Sequence, residues 1–378
     1  MKRLPQVDRH NIAIIAGQLV VGGAERQLYL WLSNLDRDRF CPVVVTLHPD
    51  CGDYWESAIE SLGIPLLRIA RRRNPLARLF AITRALRPYE PHLIHGWHLF
   101  ASPYAGAAAM LLGARASLGS LRGSFEAYLR HRTQSILTEW LTDGILVNSA
   151  SAARELARAP RRTRPRIYTV PNAVEDRVEE RARARVRLAE KYSIEPGAVW
   201  IGSTGRFEES KRFDLLLEVM SFLRQKRENV ELVLIGYGDG IELLRSKAES
   251  LGLSDRVTFT GQDADARLWM CALDIFCFLS LDEGLPNAVM EAAAAGVPVV
   301  GWRTPFLEEL LEDGRSAVLV PPRDMNLLQE AVVTLIHEPR TRDRLGRSGR
   351  SYILANFSVG RLVEGITKTY EELLAGCS

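Results

Sequence analysis

The sequence predicts an α/β chain built from two doubly wound parallel-sheet domains. Three observations carry this prediction. At 378 residues the chain exceeds what one ordinary core organises. Short apolar runs alternate with segments of helical period along most of its length, the pattern of βαβ units. The rhythm stops in an apolar-poor, arginine-rich stretch at 173–197 and then restarts. The expected division is a Rossmann-like domain at 1–176, a linker with a solvated helix at 177–197, a second Rossmann-like domain at 198–355, and a closing helix at 356–378 that returns to the first domain. The strand ends of the two domains are expected to face one cleft.

Residues 1–10 are polar and read as a lead-in. The run Asn11–Gly17 is apolar without alternation, as a strand buried on both faces requires. A helix follows Gly22-Gly23-Ala24-Glu25, with Leu28, Leu32 and Leu35 on one face. Strands are expected at 43–47, 65–69, 93–95, 116–121, 144–149 and 167–172, and one long helix over 125–141. In the second half, strands are expected at 199–205, 231–236, 257–260, 275–279, 297–301 and 317–320. Helical pattern then runs to the end, broken at Pro339 and near Asn356.

Apolar residues make up 47% and charged residues 25%, values of a globular protein, and the net charge is only +3. The apolar run Ile12–Val21 is interrupted by Gly17 and Gln18, so no secretory signal is expected, and no stretch approaches a membrane span. The five cysteines lack CxxC spacing, which fits a reducing cytoplasm and no structural zinc. Arginines cluster at Arg68, Arg71, Arg72, Arg73, Arg78, Arg84 and Arg87, and again at Arg158, Arg161, Arg162, Arg164 and Arg166. Either a face toward anionic membrane or ordinary solubility explains them. Few aromatics interleave with them, which argues against nucleic acid.

In open α/β sheets ligands bind beyond the carboxyl ends of strands, so the loops there matter most. The segment Glu283-Gly284-Leu285-Pro286-Asn287-Ala288-Val289-Met290-Glu291 lies between two apolar runs and reads as strand, turn, helix. Pro286 suits the first helical turn and Gly296 the stop. Unpaired N–H groups at such a helix start suit an anion. Glu283 and Glu291 would stand roughly 12 Å apart at helical rise, about the reach of a sugar nucleotide. Glu283 would then face a hexose and Glu291 a ribose; two solvated carboxylates is the plain alternative. Arg206 and Lys211 bracket the loop after the strand at 199 and suit a diphosphate. Gly236 and Gly238 allow close approach of a base or phosphate, and Gly22 and Gly23 allow the same in the first half. His98 follows the strand at Leu93 and suits a hexose, whereas His95 reads as structural. No Walker loop and no metal-ligand spacing is present. Asp263 and Asp265 match an Asp-x-Asp cation site superficially, but a helix-cap role is favoured.

Taken together, these loops resemble the retaining GT-B glycosyltransferases of family 4, across essentially the whole chain and most closely over 199–324. Val170-Pro171-Asn172, Glu309 before Asp313-Gly314, and Val320-Pro321-Pro322-Arg323-Asp324 belong to the same pattern. The resemblance implies hexosyl transfer from a nucleoside diphosphate sugar to a glycan or lipid-linked acceptor. It implies no metal and no cofactor, and a place at the cytoplasmic side of the cell membrane in envelope or exopolysaccharide synthesis. Arg206 and Lys211 would hold the diphosphate; Glu283 the hexose; Leu285, Pro286, Asn287 and Glu291 the rest of the donor; and His98 would match the first-domain histidine. Where many members carry a His-Asp pair, this chain has Ser120-Leu121-Arg122-Gly123-Ser124. Arg122 would meet an anionic acceptor or a donor carboxylate. A nucleotide-sugar epimerase of the same fold is the alternative activity, and a non-catalytic sugar-nucleotide binder a third reading.

Overall fold

A computed structural model describes residues 9–49, 54–160, 165–176, 181–263 and 266–376. The chain divides into two compact units, Met1–Ala173 with Val359–Ser378, and Val174–Ser358. The division therefore falls a few residues before the expected linker.

In the first unit, strands β1 (His10–Ala16), β2 (Phe40–Thr46), β3 (Leu66–Arg68), β4 (Leu93–Gly96), β5 (Ala116–Leu121), β6 (Gly144–Val147) and β7 (Arg166–Thr169) form one parallel sheet. Its order is β3-β2-β1-β4-β5-β6-β7. Helices α1 (Gly23–Ser33), α2 (Glu56–Ser61), α3 (Pro75–Leu86), α4 (Ser102–Leu112), α5 (Phe125–Arg130), α6 (Arg132–Leu141) and α7 (Ala150–Arg158) connect them. Ile12 to Ala16 are fully buried, which is why β1 carries no polar alternation. The single helix expected over 125–141 is two helices. His131, at φ −91° and ψ 49°, breaks them, and Tyr128 Oη donates across the bend to Glu139 at 2.8 Å.

The second unit has strands β8 (Val199–Thr204), β9 (Val230–Ile235), β10 (Val257–Phe259), β11 (Ile275–Phe278), β12 (Val299–Trp302) and β13 (Ala317–Val320). They form a parallel sheet of order β10-β9-β8-β11-β12-β13. Its helices are α8 (Arg181–Tyr192), α9 (Phe213–Gln225), α10 (Ile241–Ser250), α11 (Ala266–Ala272), α12 (Asn287–Ala294), α13 (Pro305–Leu310), α14 (Met325–His337) and α15 (Pro339–Asn356). The last helix, α16 (Val359–Ala375), packs in the first unit.

The helix expected in the linker is present as α8, with most of its residues exposed, and it belongs to the second unit. Helix α8 buries Ala184, Leu188 and Ala189 in the core of the second unit. Two of its arginines are engaged too. Arg185 donates to Asp274 at 2.8 Å and lies over the Trp200 ring, and Arg181 pairs with the same carboxylate. A narrow stripe of small residues among arginines gives little apolar signal, so composition alone hides its buried face. Asp263 accepts from Lys191 at 2.8 Å, Tyr192 at 2.7 Å and the Trp269 indole at 2.9 Å, tying α8 to α11. Asp265 lies outside the described residues.

Candidate active site

Both sheets reverse their strand order at one place, β1/β4 in the first unit and β8/β11 in the second. Ligands of doubly wound sheets bind at such points. The sequence-selected residues fall on the loops beside them.

In the second unit, Glu209–Lys211 form one 3₁₀ turn after β8. Arg212 then adopts a left-handed φ of 53°, an uncommon conformation for a residue with a side chain. Its guanidinium is held by two bonds to Asp214, at 3.0 and 2.9 Å. This sharp reversal starts α9 and leaves Lys211 directed at the loop after β11, where its ammonium pairs with the Glu283 carboxylate. Both partners keep modest solvent access, 24% for Lys211 and 16% for Glu283. Two charges 72 residues apart in sequence are thus joined across adjacent strands. Arg206 lies nearer solvent, 3.2 Å from Glu208.

Helix α12 begins just beyond Glu283. Pro286 is its N-cap, in extended conformation, and not a residue of the first turn as the sequence reading had it. Its missing N–H is equally harmless there. Leu285 packs its side chain into the core, so only its backbone is available to a ligand. Asn287 and Glu291 are half-buried on α12. The far end of α12 is fixed strongly. Val297 N–H donates to Ala292 at 3.0 Å and Gly296 N–H to Ala293 at 2.9 Å, a Schellman closure with Gly296 at φ 78°. Arg350 donates to the Ala294 carbonyl and to Asp176, placing a cation at the helix C-terminus.

Gly236 and Gly238 have φ of 147° and 150°. A side chain on Gly238 would stand 2.8 Å from Phe207 N, and one on Gly236 would overlap the Gly205 carbonyl. Phe207 N–H donates to Tyr237 and Gly240 N–H to Phe207, at 2.8 and 3.0 Å. These glycines are therefore required by the neighbouring loop of the protein itself, which seats the Arg206–Lys211 segment.

In the first unit, Gly22 is the N-cap of α1 in extended conformation. A side chain there would overlap the Glu25 carboxylate, so the glycine makes room for Glu25 over the helix start. Gly23 opens the helix itself. Glu25 is buried, and its Oε1 lies 3.2 Å from His98 Nε2, within ion-pair reach but without hydrogen-bond alignment. His98 Nδ1 accepts the Gly17 N–H at 3.2 Å. A nitrogen that accepts carries no proton, so the ring hydrogen sits on Nε2, facing Glu25. In this state His98 is a donor and not a base. The sequence places Glu25 only in a glycine loop; its position beside His98 follows from the pairing of β1 with β4.

Arg122 follows β5. Its guanidinium carbon lies 3.5 Å from the centroid of the Trp97 ring. Nε and both terminal nitrogens are closed to water and have no hydrogen-bond partner among the described residues. Burial pushes its pKa down to about 9, against the pull of Tyr370 and Glu25. Trp97 in turn stacks on Trp31 at 5.7 Å and donates its indole N–H to Ala24 at 2.8 Å. His95, fully buried, joins Tyr370 Oη of α16 at 2.7 Å and Ser120 Oγ at 2.7 Å. Its structural reading agrees with this burial, and burial holds its pKa well below the usual histidine range, with the Arg122 charge adding to the effect.

Residues 186–352 match the family model described as Glycosyl transferases group 1, and residues 21–178 the model described as Glycosyltransferase Family 4. The lipopolysaccharide core biosynthesis glycosyltransferase LpsD of Rhizobium meliloti is 28% identical over 93% of this chain and 94% of its own length. LpsE of the same organism is 34% identical over 46% of this chain. A GDP-mannose-dependent phosphatidylinositol monomannoside mannosyltransferase of Mycolicibacterium smegmatis is 30% identical over 50% of it. These two alignments span 48% and 51% of the relatives' lengths, so the chain matches about half of each. Among solved structures, HepE of Anabaena in complex with UDP-glucose superposes with a TM-score of 0.84 at 19% identity, covering 96% of this chain and all of that one. Sucrose-phosphate synthase of Thermosynechococcus elongatus gives 0.79 at 20% identity, covering 97% and 100%. With both halves matched by family models and the whole architecture shared, the chain belongs to the family 4 glycosyltransferases and has the GT-B fold.

Proposed function

We propose that the protein transfers a hexosyl group from a nucleoside diphosphate sugar to a glycan or lipid-linked acceptor, with retention at the anomeric carbon. The observation that carries this is the Lys211–Glu283 pair at the β8/β11 reversal, beside the start of α12. Without donor, the two charges neutralise one another. An arriving diphosphate draws Lys211 and the α12 amides, and releases Glu283 to hexose hydroxyls. Arg206, near solvent, closes on the phosphates from the other side of the loop. Glu291 holds the ribose, and the Leu285–Asn287 backbone lines the path between. In the first unit, Gly22, Gly23 and His98 are assigned to sugar binding and Arg122 to the acceptor.

The departing diphosphate accumulates negative charge, and fixed cations stabilise it without a metal. The acceptor hydroxyl gives its proton to the leaving phosphate oxygen as the new glycosidic bond forms. His98, protonated on Nε2, serves as a donor to a sugar hydroxyl. The relatives named above favour transfer over epimerisation, and their roles in lipopolysaccharide and phosphatidylinositol mannoside synthesis favour a place in cell-envelope assembly. Thermal shift with UDP-, GDP- and ADP-sugars identifies the donor, since a tight ligand raises stability by mass action. Near-wild-type transfer by Glu283→Ala, Arg206→Ala and Lys211→Ala would overturn the site; loss of activity in EDTA would overturn metal independence.

The same reading places the first unit against anionic lipid on the cytoplasmic side. Arg71, Arg72, Arg73, Arg84 and Arg87 are exposed, beside exposed Leu76 and Phe80 of α3 and Met110 and Leu111 of α4. Arg68 does not contribute, being paired with Glu56 and Glu60 at 2.6 and 2.9 Å, nor does buried Arg78, which braces the Arg72 carbonyl. Arg158 is exposed on α7, whereas Arg161, Arg162 and Arg164 lie outside the described residues. No helix among the described residues is long and apolar enough to cross a membrane. Vesicle sedimentation with and without anionic lipid tests this contact, and equal sedimentation would exclude it.

A further inference from the structure

Arg122 is the group the proposed chemistry leaves least accounted for. A guanidinium closed to water is ordinarily paired with a carboxylate or ringed by carbonyls. Here all three nitrogens lack a hydrogen-bond partner among the described residues. Stacking on Trp97 covers one face of the plane and satisfies none of the N–H donors, which lie at its edge. Glu25 supports the charge from a distance but faces His98 Nε2. Tyr370 is bonded to His95. The five N–H groups are thus held in place by Trp97, itself anchored between Trp31 and the Ala24 carbonyl, with no acceptor among the described residues.

The loop carrying this group leaves β5, next to β4 and one strand from β1. Glu25 and His98 likewise follow the carboxyl ends of β1 and β4. A neutral sugar offers only hydroxyls to such a fork, whereas a carboxylate or phosphate matches it with two parallel charge-assisted bonds.

We propose that Arg122 makes the first unit a receptor for an acceptor bearing an anionic group, a carboxylate or a phosphate, next to the hydroxyl that is glycosylated. This rests on the acceptor-side reading of the first unit. Because the nitrogens are closed to water, the anion engages them only after the Leu121–Ser124 loop shifts, and the stacked indole beneath reports that shift.

The test is a tryptophan-fluorescence titration of the full-length protein with methyl glucuronide, methyl glucoside and inorganic phosphate, on wild type, Arg122→Lys and Arg122→Met. The expected result is that wild type binds the glucuronide or phosphate about ten-fold or more tightly than the neutral glucoside. Arg122→Lys, with charge but no planar fork, loses most of that preference, and Arg122→Met loses all of it. Stronger binding of glucuronide than phosphate assigns a carboxylate; the reverse assigns a phosphate. Equal binding of charged and neutral sugars to wild type overturns the proposal, as does a preference that survives in Arg122→Met. A preference that appears only between UDP-glucuronate and UDP-glucose also overturns it, by moving the anion to the donor. Stabilisation by the nucleotide sugar is measured on the same three proteins. If it persists while anion selectivity is absent, this inference fails and the transferase reading stands. If it is absent in wild type, the transferase reading itself fails.

Discussion

Replacing Lys211 by methionine separates two roles of the Lys211–Glu283 pair. As a structural link, the pair is only partly shielded, with 24% and 16% of the side chains exposed. Removing one partner leaves the other charge half-buried and costs about 1–2 kcal/mol, below the figure for a fully buried pair. For a unit of this size that lowers the melting temperature by roughly 2–8 °C. As a donor to the leaving diphosphate, the same ammonium is worth much more, about 2.7–4 kcal/mol, or 10²–10³ in kcat. The double variant Lys211→Met with Glu283→Gln removes both charges at similar volume, so stability returns close to wild type while transfer stays low. Thermal melts and initial rates on the two single variants and the double complete the cycle. If transfer recovers in step with stability in the double variant, the pair is a brace and the assignment of Lys211 to the diphosphate is wrong.

Protonation of His95 sets a second expectation. Its folded pKa lies well below 6.5, so the unfolded chain takes up a proton that the native state refuses. Its contribution to stability is whole above about pH 6.5 and is lost as pH falls below it, by up to about 1.4 kcal/mol per unit. His95→Gln should flatten the slope of melting temperature against pH below 6.5, and an unchanged slope would contradict the assignment. Gly346 of α15 touches the Gly296 carbonyl at the end of α12, where a methyl group would overlap. Gly346→Ala should cost about 1–3 kcal/mol in chemical denaturation and weaken donor binding through α12; no change in either would show that α15 does not fix that helix.

The alternation of apolar runs and helical pattern gave both sheets, because parallel strands buried on two faces are continuous apolar words. The place of the second unit's candidate residues in the fold follows for a related reason. Arg206, Lys211 and Glu283 lie on loops that follow strands, and Glu291 lies on the helix after one of those loops, so local order fixes their neighbourhood. What could not be read was partnership across the sheet. Glu25 and His98 are 73 residues apart, and their proximity is created by the β1–β4 pairing. The stack of Arg122 on Trp97 is likewise invisible until β5 lies beside β4. The buried face of helix α8 is hidden for the opposite reason. Its arginines outnumber its buried residues, and only Asp274 and Trp200 reveal what two of them are for. Pro286 was displaced by one position, since proline is tolerated both at a cap and one step inside.

Tyr370 closes the aromatic cluster of the first unit, edge-on to Trp31 and Phe40 and bonded to His95. It belongs to the last helix of the chain. During synthesis, the first unit therefore emerges with a gap in its core and must wait while the whole of the second unit is made. Until then Trp31, Phe40 and His95 lack their cover, and the sheet they line is open to non-native partners. The second unit has no such delay, because its own segment, 174–358, is continuous. A chain stopped at Ser358 should thus yield a folded second unit beside an incomplete first one, and the order of maturation runs against the order of synthesis.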